Sequence, residues 1–170
     1  MKWITREHVR VDRVAIPWLI KKFVDPEAEF IFAPREEVLA RAKAEGATPF
    51  DVPGVELSHR DDKCGFDAVI AKYNLTDPAL LRVADIVRGA DVAAWKGRFP
   101  ESAGIEAIAH GYFLLNLPDQ QVLDRECPLY DALYRYCQEQ IEKTGPGYPL
   151  AARVRASSAL DHDIMALMQS

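Results

Sequence analysis

The sequence predicts an α/β (or α+β) fold, in which a small mixed sheet from the N-terminal third is covered by several helices and the second half is predominantly helical. Three observations carry this. Short β-prone runs are confined to the residues before His59, apolar residues recur at helical spacing from Gly65 onward, and Pro and Gly punctuate the joints between them. Residues 2–5 and 29–33 read as strands, the second bounded by Pro26 and Pro34. Between them Val14, Trp18, Leu19, Ile20 and Phe23 define a helix, with Asp12 expected to cap it and Pro17 to mark its start or a kink. A β-α-β opening follows.

Residues 36–42 form the next helix pattern, acidic in its first turn and stopped by Gly46. Residues 48–52 and 55–59 are extended runs separated by Pro53-Gly54, expected as a hairpin or as two strands of one sheet. Helices are then expected over 66–73, 78–89, 104–117, 130–142 and 150–168. Asp77-Pro78 gives the clearest start, a capping acid followed by proline where a missing N–H costs nothing. Residues 1–170 read as a single domain with 150–170 as a C-terminal helical arm. Its stripe of Leu150, Val154, Leu160, Ile164, Leu167 and Met168 suits packing on a second copy as a homodimer, the basis for reading the chain as a non-catalytic interaction module.

Acids outnumber bases 26 to 21, a net charge of −5, so the overall field repels nucleic acid and anionic membranes. Any anion site must be a local basic pocket. Cys64, Cys127 and Cys137 contain no Cys-x-x-Cys pair and are too sparse for a disulfide framework, which points to a reducing cytoplasm. No apolar run approaches the roughly 18 residues of a membrane span, and the N-terminal residues contain no signal core. Walker, dinucleotide-binding, nucleophile-elbow and His-Glu-x-x-His motifs are all missing.

Reactive side chains are densest between Glu56 and Asp67, at the junction of an extended run with a helix. His59 and Cys64 offer an imidazole and a thiolate suited to zinc or iron, with Glu56, Asp67 or Asp91 as the completing carboxylate. Two other readings of the pair stand beside this one. Cys64 can be a small buried hydrophobe with His59 hydrogen-bonded at a strand end, or His59 can activate Cys64 as the thiolate nucleophile of an enzyme. Leu80, Ala84 and Val87 form a helical stripe that Asp91 continues, so a charge ends an apolar face. Arg88 beside it either pairs with Asp85 or Asp91 or joins Arg13 and Arg60 as an oxyanion-binding guanidinium, while Gly89 is a candidate helix stop. Cys127 is expected in a loop, and Cys137 in the core of a helix.

The runs Lys2-Trp3-Ile4-Thr5-Arg6, Val11-Asp12-Arg13-Val14-Ala15, Pro49-Phe50-Asp51-Val52-Pro53-Gly54-Val55-Glu56-Leu57, Cys64-Gly65-Phe66-Asp67-Ala68 and Ile86-Val87-Arg88-Gly89-Ala90-Asp91 resemble the ChrB C-terminal domain from about Lys2 to about Cys137. The resemblance implies a stress-response role in chromate resistance, where such proteins accompany an efflux pump as chromate-responsive regulators. It also implies a small inorganic ion as partner. Full-length members carry an N-terminal domain that these residues do not include, so a DNA-binding role is not carried over. The family commonly places a cysteine between Ala15 and Pro17, where this chain has Ile16, whereas His59 and Cys64 follow the family pattern.

Overall fold

The computed structural model describes residues 1–145; the helix and arm expected over 150–170, and the dimer read from them, lie outside the described residues. Strand β1 (Lys2–Arg6) leads into helix α1 (Val11–Phe23), which returns the chain to strand β2 (Glu29–Ala33). Helix α2 (Val38–Glu45) then delivers strand β3 (Thr48–Pro49) to the other side of β1. The sheet order is β2-β1-β3. Lys2 is in register with Glu29 and Trp3 with Thr48, both ladders parallel. A helix between successive strands allows the chain to re-enter in the same direction, so the sheet is parallel throughout and not mixed.

The hairpin does not form. Asp51, two residues past the end of β3, adopts a left-handed φ of 48° and bends the chain away, so Phe50 meets Leu57 as an isolated parallel bridge. Pro53-Gly54 sits in the intervening loop, with Gly54 at a φ of 85°. The amide of Asp51 donates to the Leu57 carbonyl at 2.7 Å, closing this loop into a ring.

Helix α3 (Gly65–Lys72), α4 (Pro78–Asp91), a short 3-10 turn (Ala93–Trp95), α5 (Pro100–Leu114) and α6 (Asp119–Thr144) complete the described chain. Alternation along β1 feeds two cores: Trp3 joins the large one under α1, while Ile4 packs with Val38 and Ala42 under α2. Trp18 is the hinge of the large core. Its ring centre lies within 6.4 Å of the rings of Phe23, Phe66, Tyr130 and Tyr134, and its Nε1 donates to Asp131 at 3.0 Å, so one side chain ties α1 to α3 and α6.

Several boundaries differ from the sequence expectation for identifiable reasons. Asp77 does cap α4, accepting from the Leu80 amide at 2.7 Å ahead of Pro78. Gly89, however, does not stop that helix. A Cβ there would meet Ser102 and Phe99, so the glycine is a close-packing position and α4 runs on to Asp91. Helix α6 begins eleven residues before the expected Tyr130 and takes Cys127 and Pro128 into its interior. The proline is exposed, as is Asp124, the residue whose carbonyl loses its helical N–H partner there. No helix among the described residues is long and apolar enough to cross a membrane.

Candidate functional site

Three elements converge where α1 starts, where the loop after β3 ends and where α4 ends. Helix α1 brings Asp12, the loop brings Asp51 and His59, and α4 brings Asp91. Asp91 arrives because it continues the buried stripe of Leu80, Ala84 and Val87, as the helical spacing required. The His59 Nε2 lies 2.9 Å from Asp91 Oδ2, 3.5 Å from Asp51 Oδ1 and 3.6 Å from Asp12 Oδ2.

Asp12 does not cap its own helix. Arg10 holds that position without a side-chain bond, and Asp12 instead receives the amides of Gly65 and Phe66, at 2.6 and 3.4 Å, thereby capping α3 from across the core. The approach needs a glycine: a Cβ on Gly65 would stand 3.0 Å from Asp12 Oδ2 and 2.9 Å from Ile16 Cδ1. Ile16, where the family commonly has cysteine, is thus a fully buried packing residue behind the site.

The charge balance is uneven. Asp51 is matched twice, by Arg6 Nη2 at 2.9 Å and Arg13 Nη1 at 3.2 Å. Among the described residues, His59 is the one side-chain cation within ion-pair distance of Asp12 and Asp91, while Arg13 acts on Asp91 from farther off. Burial, then Asp91 and Asp51, push the Asp12 carboxyl well above the usual carboxylate range. The hydrogen bond that His59 donates to Asp91 raises the imidazole to about 9 against the opposing effect of burial, with Asp12 and Asp51 adding to the rise. Asp12 is 2% exposed, and its Oδ1 has no hydrogen-bond partner. An orphaned oxygen in such a place is costly unless something positive reaches it.

One oxygen from each of Asp12 and Asp91 and one ring nitrogen of His59 lie within 4.8 Å of one another, an arrangement able to hold a metal ion. Two carboxylates with one imidazole are a hard-to-borderline donor set, suited to zinc, iron(II) or manganese(II), and three protein ligands leave coordination positions open. Of the ligands expected from sequence, His59 and Asp91 come together here. Cys64, Glu56 and Asp67 instead line a neighbouring cavity of about 260 Å³ that also holds Arg60. In that cavity Glu56 pairs with Lys72, and Asp67 binds the Cys64 amide at 3.0 Å and pairs with Arg88.

The three expected oxyanion-binding arginines do not converge either. Arg13 is held by Asp51 and the His8 carbonyl, Arg60 lines the second cavity, and Arg88 forks onto Asp67, pairs with Asp85 at 3.0 Å and lies over Trp95. Asp12 stands out in sequence only as a helix cap beside Arg13, because helical periodicity places it on its own helix, and nothing local marks Asp51, Arg6 or Arg10 as site residues.

Cys64 is fully buried, and burial together with Asp12 and Asp67 pushes its thiol well up, the opposite of what a nucleophile needs. Alkylation of Cys64 in the native protein should therefore be slow and limited by opening of the fold, with no transition below the pH of a free thiol. Rapid labelling with a midpoint near neutrality would restore the enzyme reading.

The chain matches the family model described as "ChrB, C-terminal domain" over residues 3–137. It is 33% identical over 136 residues to "Protein ChrB" of Cupriavidus metallidurans, a match covering 79% of this chain and 40% of that protein. The chain thus spans about two-fifths of the relative's length. No solved structure matches it significantly.

Proposed function

The chain belongs to the ChrB C-terminal domain family, and from that premise we propose that it serves chromate resistance in the cytoplasm as a metal-binding domain, holding one divalent ion, zinc or iron(II), on Asp12, His59 and Asp91. The observation that supports this reading is the meeting of Asp12 and Asp91 on one imidazole, with Asp12 buried, its Oδ2 3.6 Å from His59 Nε2 and its Oδ1 unpartnered. A cation answers each of these features at once: it offsets the cost of the buried Asp12 charge and the repulsion between the acids, and takes the imidazole nitrogen as a ligand. A bare anion answers none of them, because Arg13 and Arg88 already carry carboxylates.

Protein purified without chelator and analysed for metals should carry up to one ion per chain. After stripping, zinc or iron(II) should bind once and raise the unfolding temperature in proportion to the logarithm of its free concentration. A stripped protein that takes up neither ion, with unfolding unchanged by either, would sink the proposal.

A further inference from the structure

Arg10 is set apart from the other two arginines of this site. Arg6 and Arg13 are anchored on Asp51, whereas the exposed Arg10 guanidinium has no hydrogen bond or ion pair to any described residue and lies 4.1 Å above the ring of Phe113. It lines both the cavity of the triad, about 220 Å³, and an adjoining one of about 250 Å³, and Asp91 is the other residue common to the two. The adjoining cavity has an apolar floor at Ala90 and Ala109 and a polar rim of Lys96, Glu106 and His110. Lys96 and Glu106 pair with each other, so that rim offers donors and acceptors without a net charge.

Resting on the metal reading above, we infer that the two cavities form one ligand site for a polyhydroxy monocarboxylate, the chemistry of a small sugar acid. Its carboxylate bridges the open positions of the ion and the Arg10 guanidinium. Its uncharged hydroxylated body lies over Ala90 and Ala109 within reach of His110 and the Lys96–Glu106 pair. The charge balance selects the head group: Arg6, Arg10 and Arg13 match Asp12, Asp51 and Asp91, so a bound divalent ion leaves the first cavity positive and in need of an anion. The size and lining of the second cavity select the body, since it has more room than a lone tetrahedral oxyanion fills, and its acids Asp91 and Glu106 disfavour a second anionic group.

Gluconate, sulfate and acetate titrated calorimetrically into manganese-loaded protein test this directly. Gluconate should bind about tenfold or more tighter than sulfate or acetate. Arg10→Ala should weaken gluconate by about tenfold or more while manganese affinity stays within about twofold, and His110→Ala should weaken gluconate but not acetate. Both residues are exposed, so the variants should fold. Sulfate binding as tightly as gluconate, equal gluconate binding to metal-free protein, or indifference to Arg10→Ala would each overturn the inference while leaving the metal centre in place. Failure of manganese, zinc and iron(II) alike to bind would remove both.

Discussion

Asp12→Asn should abolish metal-dependent stabilisation while leaving the metal-free protein as stable as before or more so. The two effects have opposite signs because the carboxylate is costly where it stands. It is fully buried, faces Asp91 and Asp51, and is pushed toward its protonated form by all three circumstances. Asparagine keeps an oxygen for the Gly65 and Phe66 amides and removes the charge. Loss of an anionic ligand from a three-residue set should weaken metal binding by about 100-fold, or about 2.7 kcal/mol. Titration calorimetry and thermal melts, each with and without zinc, read both effects. Glu56→Gln is the informative control, since Glu56 pairs with Lys72 in the neighbouring cavity. If Glu56→Gln or Cys64→Ala costs the metal and Asp12→Asn does not, the ion sits in that second cavity, with the ligands the sequence pattern first suggested.

A second large effect should appear in the dependence of stability on pH. Glu126, on the buried face of α6, is 2% exposed, its Oε1 is unpartnered, and burial raises its carboxyl from 4.5 to about 7. Between those values the folded protein holds a proton that the unfolded chain has released. Stability from this group is therefore complete below about pH 4.5 and is lost as pH rises through about 7. With allowance for water reaching the carboxyl, the loss should be about 1–3 kcal/mol. Glu126→Gln, which mimics the protonated form, should be nearly neutral at about pH 4 and stabilising by that amount at about pH 8 in urea denaturation. Parallel pH profiles for the variant and the native sequence would show that Glu126 does not titrate in this range.

The legible parts of the molecule were those whose causes are local. Asp77-Pro78 marked the start of α4, Gly46 marked the end of α2, and the i, i+4, i+7 stripe pointed to Asp91 at the half-buried end of that face. His59 stood out as a polar group in the loop after β3. What stayed hidden depends on distant partners. Asp12 looked like the cap of its own helix because nothing local reveals that the amides of Gly65 and Phe66 wait for it across the core. Gly89 looked like a terminator because its role is set by Phe99 and Ser102 on another element. Cys64 and Arg88 looked available because Asp67, which engages both, lies between them in sequence without any pattern linking the three. The loop expected at Cys127, just before Pro128, failed for the reverse reason: the local breaker was overridden by the packing of Val122, Leu123 and Tyr130 along one face of α6.

The central place of β1 bears on how the chain reaches this structure. Its neighbours β2 and β3 lie downstream across whole helices, and the loop that follows it is fastened by Asp119, whose carboxylate takes the amides of His8 and Val9 at 3.1 and 2.8 Å. The sheet pairings, Lys2 with Glu29 and Trp3 with Thr48, close loops of intermediate length, whereas fastening the β1–α1 loop to Asp119 and packing α1 on α6 close most of the described chain, and loop-closure entropy opposes those longest contacts before any burial rewards them. Helix α4 meets α5 and α6 over shorter separations. Refolding should thus form the sheet and the α4–α6 packing as separate units, with the site that straddles both assembled only when α1 and its loop have docked on α6.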